Sequence, residues 1–298
     1  MIHNKNQNEG IPEDTISYGF KKSYDDTDDI IGNKDKPIVD ISQHRDFIKT
    51  IFHVNRAGVT TLRPHVRFFT TNYDTLLEDA LSFEQIECID GFSGGAIGYW
   101  NANAFKQKLS GPGAILHKLH GSIDWHFDGD QNLLKCRDGI YKRSELGNAL
   151  VYPQQTKFLA TQRDPFSQLF KQFRECLLSR QDQVLAICGY SFGDEHINLE
   201  IQNSLNRIDN KTTVICFVKE PENIDTGLPQ IPPVLEEWLN ESSWSNRIFV
   251  LTDRGLYWGS TVNIHPAPEE SPHGEWTFKG VTELLKNGAI LGGEYAAV

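Results

Sequence analysis

No apolar run in this chain reaches the roughly 18 residues that a bilayer-spanning helix needs, and the N-terminus, MIHNKNQNEG, has no apolar stretch like the core of a signal peptide. The expectation is a soluble protein that is not exported and works in the cytoplasm. Paired cysteines are missing too. Cys88, Cys136, Cys176, Cys188 and Cys216 are scattered singly and no C-x-x-C occurs, which argues against a disulfide framework and against a structural zinc. Cys188 and Cys216 end or interrupt apolar runs, where a reduced thiol packs as a small hydrophobe. Basic residues are outnumbered, 29 against 40 acidic ones, for a formal net charge of -11. Direct nucleic-acid binding, which draws on lysine and arginine at phosphates, is therefore not expected.

What is present is an ordinary globular composition: 298 residues, 39% hydrophobic and 23% charged, enough for one large α/β core or two modest ones. Residues 1–45 read as a polar arm, with the acidic run Asp25-Asp26-Thr27-Asp28-Asp29 and no sustained apolar period. From Ser42 the pattern changes. Phe47, Ile48, Ile51 and Phe52 approximate one helical face, Arg67 to Thr71 reads as a short strand, and Thr75 to Leu81 as a helix.

Further on, Ala114 to Leu119 reads as a strand. Phe166, Leu169, Phe170, Phe173 and Leu177 share one helical face, which is core and not a cofactor box. Val184 to Cys188 is a continuous apolar run of the kind expected for a parallel strand buried on both faces, followed by a helix through Ile197, Ile201 and Leu205. A strand at Thr213 to Val218, a helix near Val234 to Leu239 and a strand at Arg247 to Leu251 complete the pattern. This alternation predicts an α/β fold, a Rossmann-like parallel sheet with helices on both faces, over residues 46–255. Residues 256–298, with Pro266, Pro268 and Pro272, read as a C-terminal appendage. The glycine-rich Gly91 to Gly98 does not match G-x-G-x-x-G and is expected to be a flexible loop.

Three predicted strands end in polar, turn-forming motifs: Thr71-Asn72-Tyr73-Asp74, His120-Gly121-Ser122, and Gly189-Tyr190-Ser191-Phe192-Gly193-Asp194. Parallel topology would gather these ends on one edge of the sheet, where ligands of open α/β sheets lie. Asn72 offers an amide donor and acceptor. Asp74 fits a helix cap as well as it fits a ligand contact, and His120 is the best base candidate. His117, three residues earlier on a strand, points to the opposite face and suits a structural role.

These motifs, in this order, resemble the SIR2-like NAD-binding domain family over roughly residues 65–255. The resemblance implies that NAD is the substrate. It implies catalytic roles for Asn72 and His120, and nucleotide contacts from Thr71, Asp74, Gly121, Ser122, Gly189, Ser191 and Asp194. The form Gly-Tyr-Ser-Phe-Gly-Asp-Glu-His-Ile-Asn is similar to SIR2-like domains of bacterial anti-phage proteins. That implies an NAD+ hydrolase that depletes NAD as a defence effector, in a homo-oligomer or with a HerA-type ATPase. Without the paired cysteines of the sirtuin zinc module, water is expected as the acceptor in place of an acyl-lysine peptide, and no metal is expected.

One departure stands out. Family members normally begin with a strand and a Gly-Ala-Gly-type loop around the pyrophosphate, and nothing before residue 65 supplies one. Three readings stay open: a segment preceding Met1, a partner that completes the pocket, or a catalytically incomplete scaffold or nucleotide-sensing subunit.

Overall fold

Short runs of β-branched and aromatic residues punctuated by glycine and polar turns set the order of elements here. The computed structural model describes residues 39–52, 65–137, 147–150, 164–178, 183–222, 227–241, 243–259, 261–266, 274 and 276–287. Most of the expected N-terminal arm thus lies outside the described residues. Helix and strand alternate at first, as α1 (Ser42–Phe52), β1 (His65–Thr70), α2 (Leu76–Phe83) and β2 (Glu87–Ile89). Six strands then run from β3 (Phe92–Gly94) and β4 (Ile97–Trp100) through β5 (Gly113–Lys118), β6 (Gly121–Phe127), β7 (Leu133–Cys136) and β8 (Gly147–Leu150). Alternation returns with α3 (Phe166–Leu177), β9 (Gln183–Cys188), α4 (Glu195–Leu205), β10 (Thr212–Val218), α5 (Pro233–Asn240) and β11 (Ile248–Thr252). The final elements are β12 (Gly255–Trp258), β13 (Thr261–Pro266) and α6 (Phe278–Asn287).

Strands β1, β5 and β2 form a parallel sheet in the order β1-β5-β2. Side chains alternate across it. Val66 and Phe68 of β1 join Ile48 and Phe52 of α1 and Ala80 and Leu81 of α2 in one apolar cluster. Phe69, on the other face, meets Phe173 of α3 with ring centroids 4.9 Å apart. Helices therefore cover both faces, as expected of a Rossmann-like sheet. The periodic face of α3 is core, with Phe166, Leu169, Phe170, Phe173 and Leu177 all buried. They pack with Ile197, Ile201 and Leu205 of α4 and Leu235, Trp238 and Leu239 of α5 over a second sheet. There β9, β10 and β11 pair in parallel, while β12 and β13 add antiparallel strands to the β11 side.

Three expectations need correction. Alternation does not hold throughout, because β3-β4-β7-β6-β8 form an antiparallel sheet with no α-helix inserted among the described residues. The Gly91–Gly98 segment is not a loop but the β3–β4 hairpin. Gly94 is required at its turn, since φ is +126° and a Cβ there would meet the Ile97 carbonyl oxygen at 2.5 Å. β9 is not buried on both faces: Val184, Ala186 and Cys188, which share one face, are exposed, Val184 at 63%, and β9 is also the edge strand of its sheet among the described residues. Beyond the last strand, α6 packs on α1 through Phe278 and Phe47, ring centroids 4.8 Å apart. No helix among the described residues is long and apolar enough to cross a membrane.

Candidate active site

Where β1 ends, the chain turns through Thr71 to Asp74 into α2, and one carbonyl fixes this turn. The Tyr73 oxygen accepts the Ile123 N–H at 2.9 Å, the Ser122 hydroxyl at 3.1 Å and the Lys118 ammonium at 3.3 Å. Lys118 is only 2% exposed, donates also to the Asp74 carbonyl, and pairs with Glu78 at 3.0 Å. A buried ammonium is tolerable only when paired and hydrogen-bonded. Here its partners lie on the turn and on α2, so the end of β5 is bound to the loop that carries Asn72. The Leu119 N–H, donating to the Thr70 carbonyl at 2.9 Å, continues the register of β1 and β5 into the turn. The Tyr73 and His120 rings then lie 6.5 Å apart.

Directly after β5, His120 Nε2 stands 3.1 Å from Asp194 Oδ2, with both residues buried. The other oxygen of Asp194, Oδ1, accepts the His196 N–H at 3.1 Å and so caps α4. One carboxylate serves a helix end and an imidazole at once. Its backbone is held by Tyr190, whose hydroxyl is 3.0 Å from the Asp194 carbonyl oxygen and 2.9 Å from Asn198 Oδ1. Burial, and then the Asp194 charge, push the Tyr190 hydroxyl above its ordinary range, so it stays a neutral donor. Asn198 Nδ2 donates to the Phe192 carbonyl at 2.7 Å. This holds Phe192 at φ +60°, a conformation unusual for a bulky residue, with its ring against Trp238.

The other candidate residues divide clearly. Asn72 is exposed; its N–H donates to Thr70 Oγ1 at 3.0 Å, and among the described residues its side-chain amide has no hydrogen-bond partner. Thr71 and Asp74 are half-buried, and Asp74 Oδ1 accepts the Leu76 N–H at 3.1 Å at the start of α2. Gly189 and Ser191 are exposed on the Asp194 turn. No atom of the described residues lies within 4 Å of where a Gly189 Cβ would stand, and its φ is +65°. Ser191 Oγ accepts the Gly193 N–H at 3.4 Å. Gly121 and Ser122 face inward. At Gly121 φ is +88° and a Cβ would meet the Ala149 carbonyl oxygen at 2.1 Å. Ser122 is fully buried with its hydroxyl on Tyr73.

Sequence reasoning passed over Lys118, Tyr190 and Asn198. A lysine inside the mostly apolar Ala114–Leu119 run was the available signal, since such a residue demands a buried carboxylate; Tyr190 and Asn198 lie inside the Gly189–Asn198 motif, but no local pattern assigned them the bonds they make. His117 is fully buried between Phe69 and Phe105, with ring centroids 4.5 Å and 4.7 Å away and near-parallel planes. Among the described residues no group of three or more His, Cys, Asp or Glu side chains could hold a metal ion.

Compared with known protein families, residues 66–242 match the SIR2-like domain, and this segment is more than half of the chain. No curated protein matches the chain.

Proposed function

The chain belongs to the SIR2-like domain family, and from that membership we propose that it is an NAD+ glycohydrolase with water as the acceptor. SIR2-like domains bind NAD, and the family includes NAD-utilising enzymes. The observation that carries the proposal is the buried His120–Asp194 pair at 3.1 Å, beside the turn that displays Asn72.

Hydrolysis breaks the bond between ribose C1′ and the nicotinamide nitrogen, whose electron pair leaves with nicotinamide, and joins a water oxygen to C1′. The proton lost by that water needs a base, and the positive charge developing on the sugar needs an oriented polar surround. In the neutral imidazole, Asp194 accepts the Nε2–H of His120, which leaves Nδ1 as the lone-pair nitrogen that takes the proton. Asn72, whose side-chain amide has no partner among the described residues, orients the water or a ribose hydroxyl. The open, left-handed Gly189 lets a ligand approach the backbone closely, and Ser191 adds a hydroxyl at the same turn.

We place this activity in an anti-phage setting in the cytoplasm, in a homo-oligomer or with a HerA-type ATPase partner. The support is the resemblance of the Gly189–Asn198 segment to SIR2-like domains of bacterial defence proteins. Purified protein is expected to consume NAD+ and release nicotinamide, with loss of turnover in Asn72→Ala and His120→Ala. No turnover by the folded protein, alone or with the ATPase, would remove the reading.

A specific observation favours a second reading, a scaffold or nucleotide-sensing subunit. Among the described residues, no Gly-Ala-Gly-type loop follows a strand of either parallel sheet. Titration calorimetry separates the two: an intact pocket binds NAD+ or ADP-ribose, and a scaffold that has lost the site gives no heat with either.

A further inference from the structure

The antiparallel sheet borders a cavity of about 330 Å³ with Asp90, Phe92, Gly95, Asp124, Lys135 and Arg137 in its wall, and neither His120 nor Asp194 lines it. That volume is at the lower end of small-molecule sites, roughly 300–1,000 Å³. Charges around it are almost fully matched. Lys118 pairs with Glu78, Lys135 with Asp90 at 2.5 Å, and Arg137 forks onto both oxygens of Asp79. Asp124 is left over. It is 3% exposed, and among the described residues neither carboxylate oxygen has a hydrogen-bond partner. Its charge is nevertheless felt nearby: burial works against the Lys135 ammonium, but Asp90 and then Asp124 outweigh it and hold it above the usual lysine range.

An unpaired buried carboxylate is among the costliest groups a fold can carry, so its natural complement is a ligand that brings donors to it. Two free oxygens on one planar group call for two parallel N–H donors. A divalent cation does not suit the site, since it needs about six oxygen ligands. Here Asp90 is already committed to Lys135, which leaves Asp124 as the one carboxylate without a hydrogen-bond partner among the described lining residues. Phe92 adds an aromatic wall for a flat ligand, and Gly95, exposed with none of the described residues within 4 Å of its missing Cβ, leaves the mouth open.

We propose that this cavity is a binding site for a planar ligand that presents a fork of two N–H donors to Asp124, of the guanidine or guanine (2-amino-6-oxopurine) type. The site is separate from the His120–Asp194 pair and does not depend on NAD turnover.

The test is calorimetric titration of the full chain with guanosine and, separately, with agmatine, using inosine and putrescine as controls that lack the fork. Binding by guanosine but not inosine assigns a purine edge, and binding by agmatine but not putrescine assigns a guanidinium. In either case Asp124→Asn is expected to weaken binding at least tenfold while its melting temperature equals or exceeds that of the parent. Gly95→Trp, which fills the mouth from outside, is expected to block binding even if Asp124→Asn does not fold. Absence of heat from both probes at millimolar concentration overturns the proposal, as does equal binding by the parent and the variants.

Discussion

His120 Nε2 and Asp194 Oδ2 meet at 3.1 Å inside the protein, joining the end of β5 to the cap of α4. Asp194→Asn separates the two duties of that carboxylate, since an amide oxygen still caps α4 but no longer places a negative charge beside the imidazole. Nicotinamide release is expected to fall by roughly a hundredfold while the melting temperature changes little. An unchanged rate would show that the pair only holds structure.

Gly121 stands in a histidine-glycine-serine motif, yet its geometry is that of a packing glycine. Gly121→Ala must place a Cβ on the Ala149 carbonyl oxygen at φ +88°. The expected cost is roughly 2–4 kcal/mol in chemical denaturation. Lost NAD affinity at unchanged stability would instead make Gly121 a nucleotide contact.

Lys118→Met removes the ammonium that binds β5 to the Asn72 turn and leaves Glu78 buried and unpaired. Breaking one side of a buried pair typically costs about 3–5 kcal/mol. Burial already pushes the Glu78 carboxyl up, and Lys118 is the first charge opposing that. In the variant this carboxyl takes a proton at low pH, so the deficit is expected to be larger at pH 8 than at pH 5. Urea titrations at the two values measure it, and adding Glu78→Gln should recover part of the loss.

His117 sets a distinct pH dependence. Burial first, and the Arg67 charge second, hold its imidazole down to about 3. Between that value and the ordinary 6.5 the unfolded chain binds a proton that the folded one refuses. Its contribution is therefore fully present above pH 6.5 and declines as the pH falls, by about 1.4 kcal/mol per unit. His44, also lowered by burial, acts in the same direction. His117→Phe should flatten the slope of unfolding free energy between pH 6 and pH 4, and an unaltered slope would assign the acid sensitivity elsewhere.

Much of the fold was legible because hydrophobic period reports burial directly. The α3 face from Phe166 to Leu177 and the runs that became β5, β10 and β11 each express burial in a local apolar pattern, on one face for α3 and on both faces for β5. The β3–β4 hairpin was not legible, since Gly94 and Gly98 read equally well as loop residues until β7 pairs with β4. β9 misled for a related reason: Val184 to Cys188 has the composition of a central strand, and its edge position is a property of its neighbours.

The same division runs through the candidate site. Its vocabulary, Asn72, Asp74, His120 and the Gly189–Asp194 turn, was set by the sequence, because turn-forming polar residues after apolar runs mark strand ends through local backbone chemistry alone. Which of them meet was decided only by the tertiary structure. His120 finds Asp194, while Gly121 and Ser122 turn inward to Ala149 and Tyr73. Lys118 becomes the buried tie beneath Asn72, and Asp124 is left without a hydrogen-bond partner among the described residues. The physical reason is that pairing and desolvation depend on groups far apart along the chain, and no local period or propensity records them.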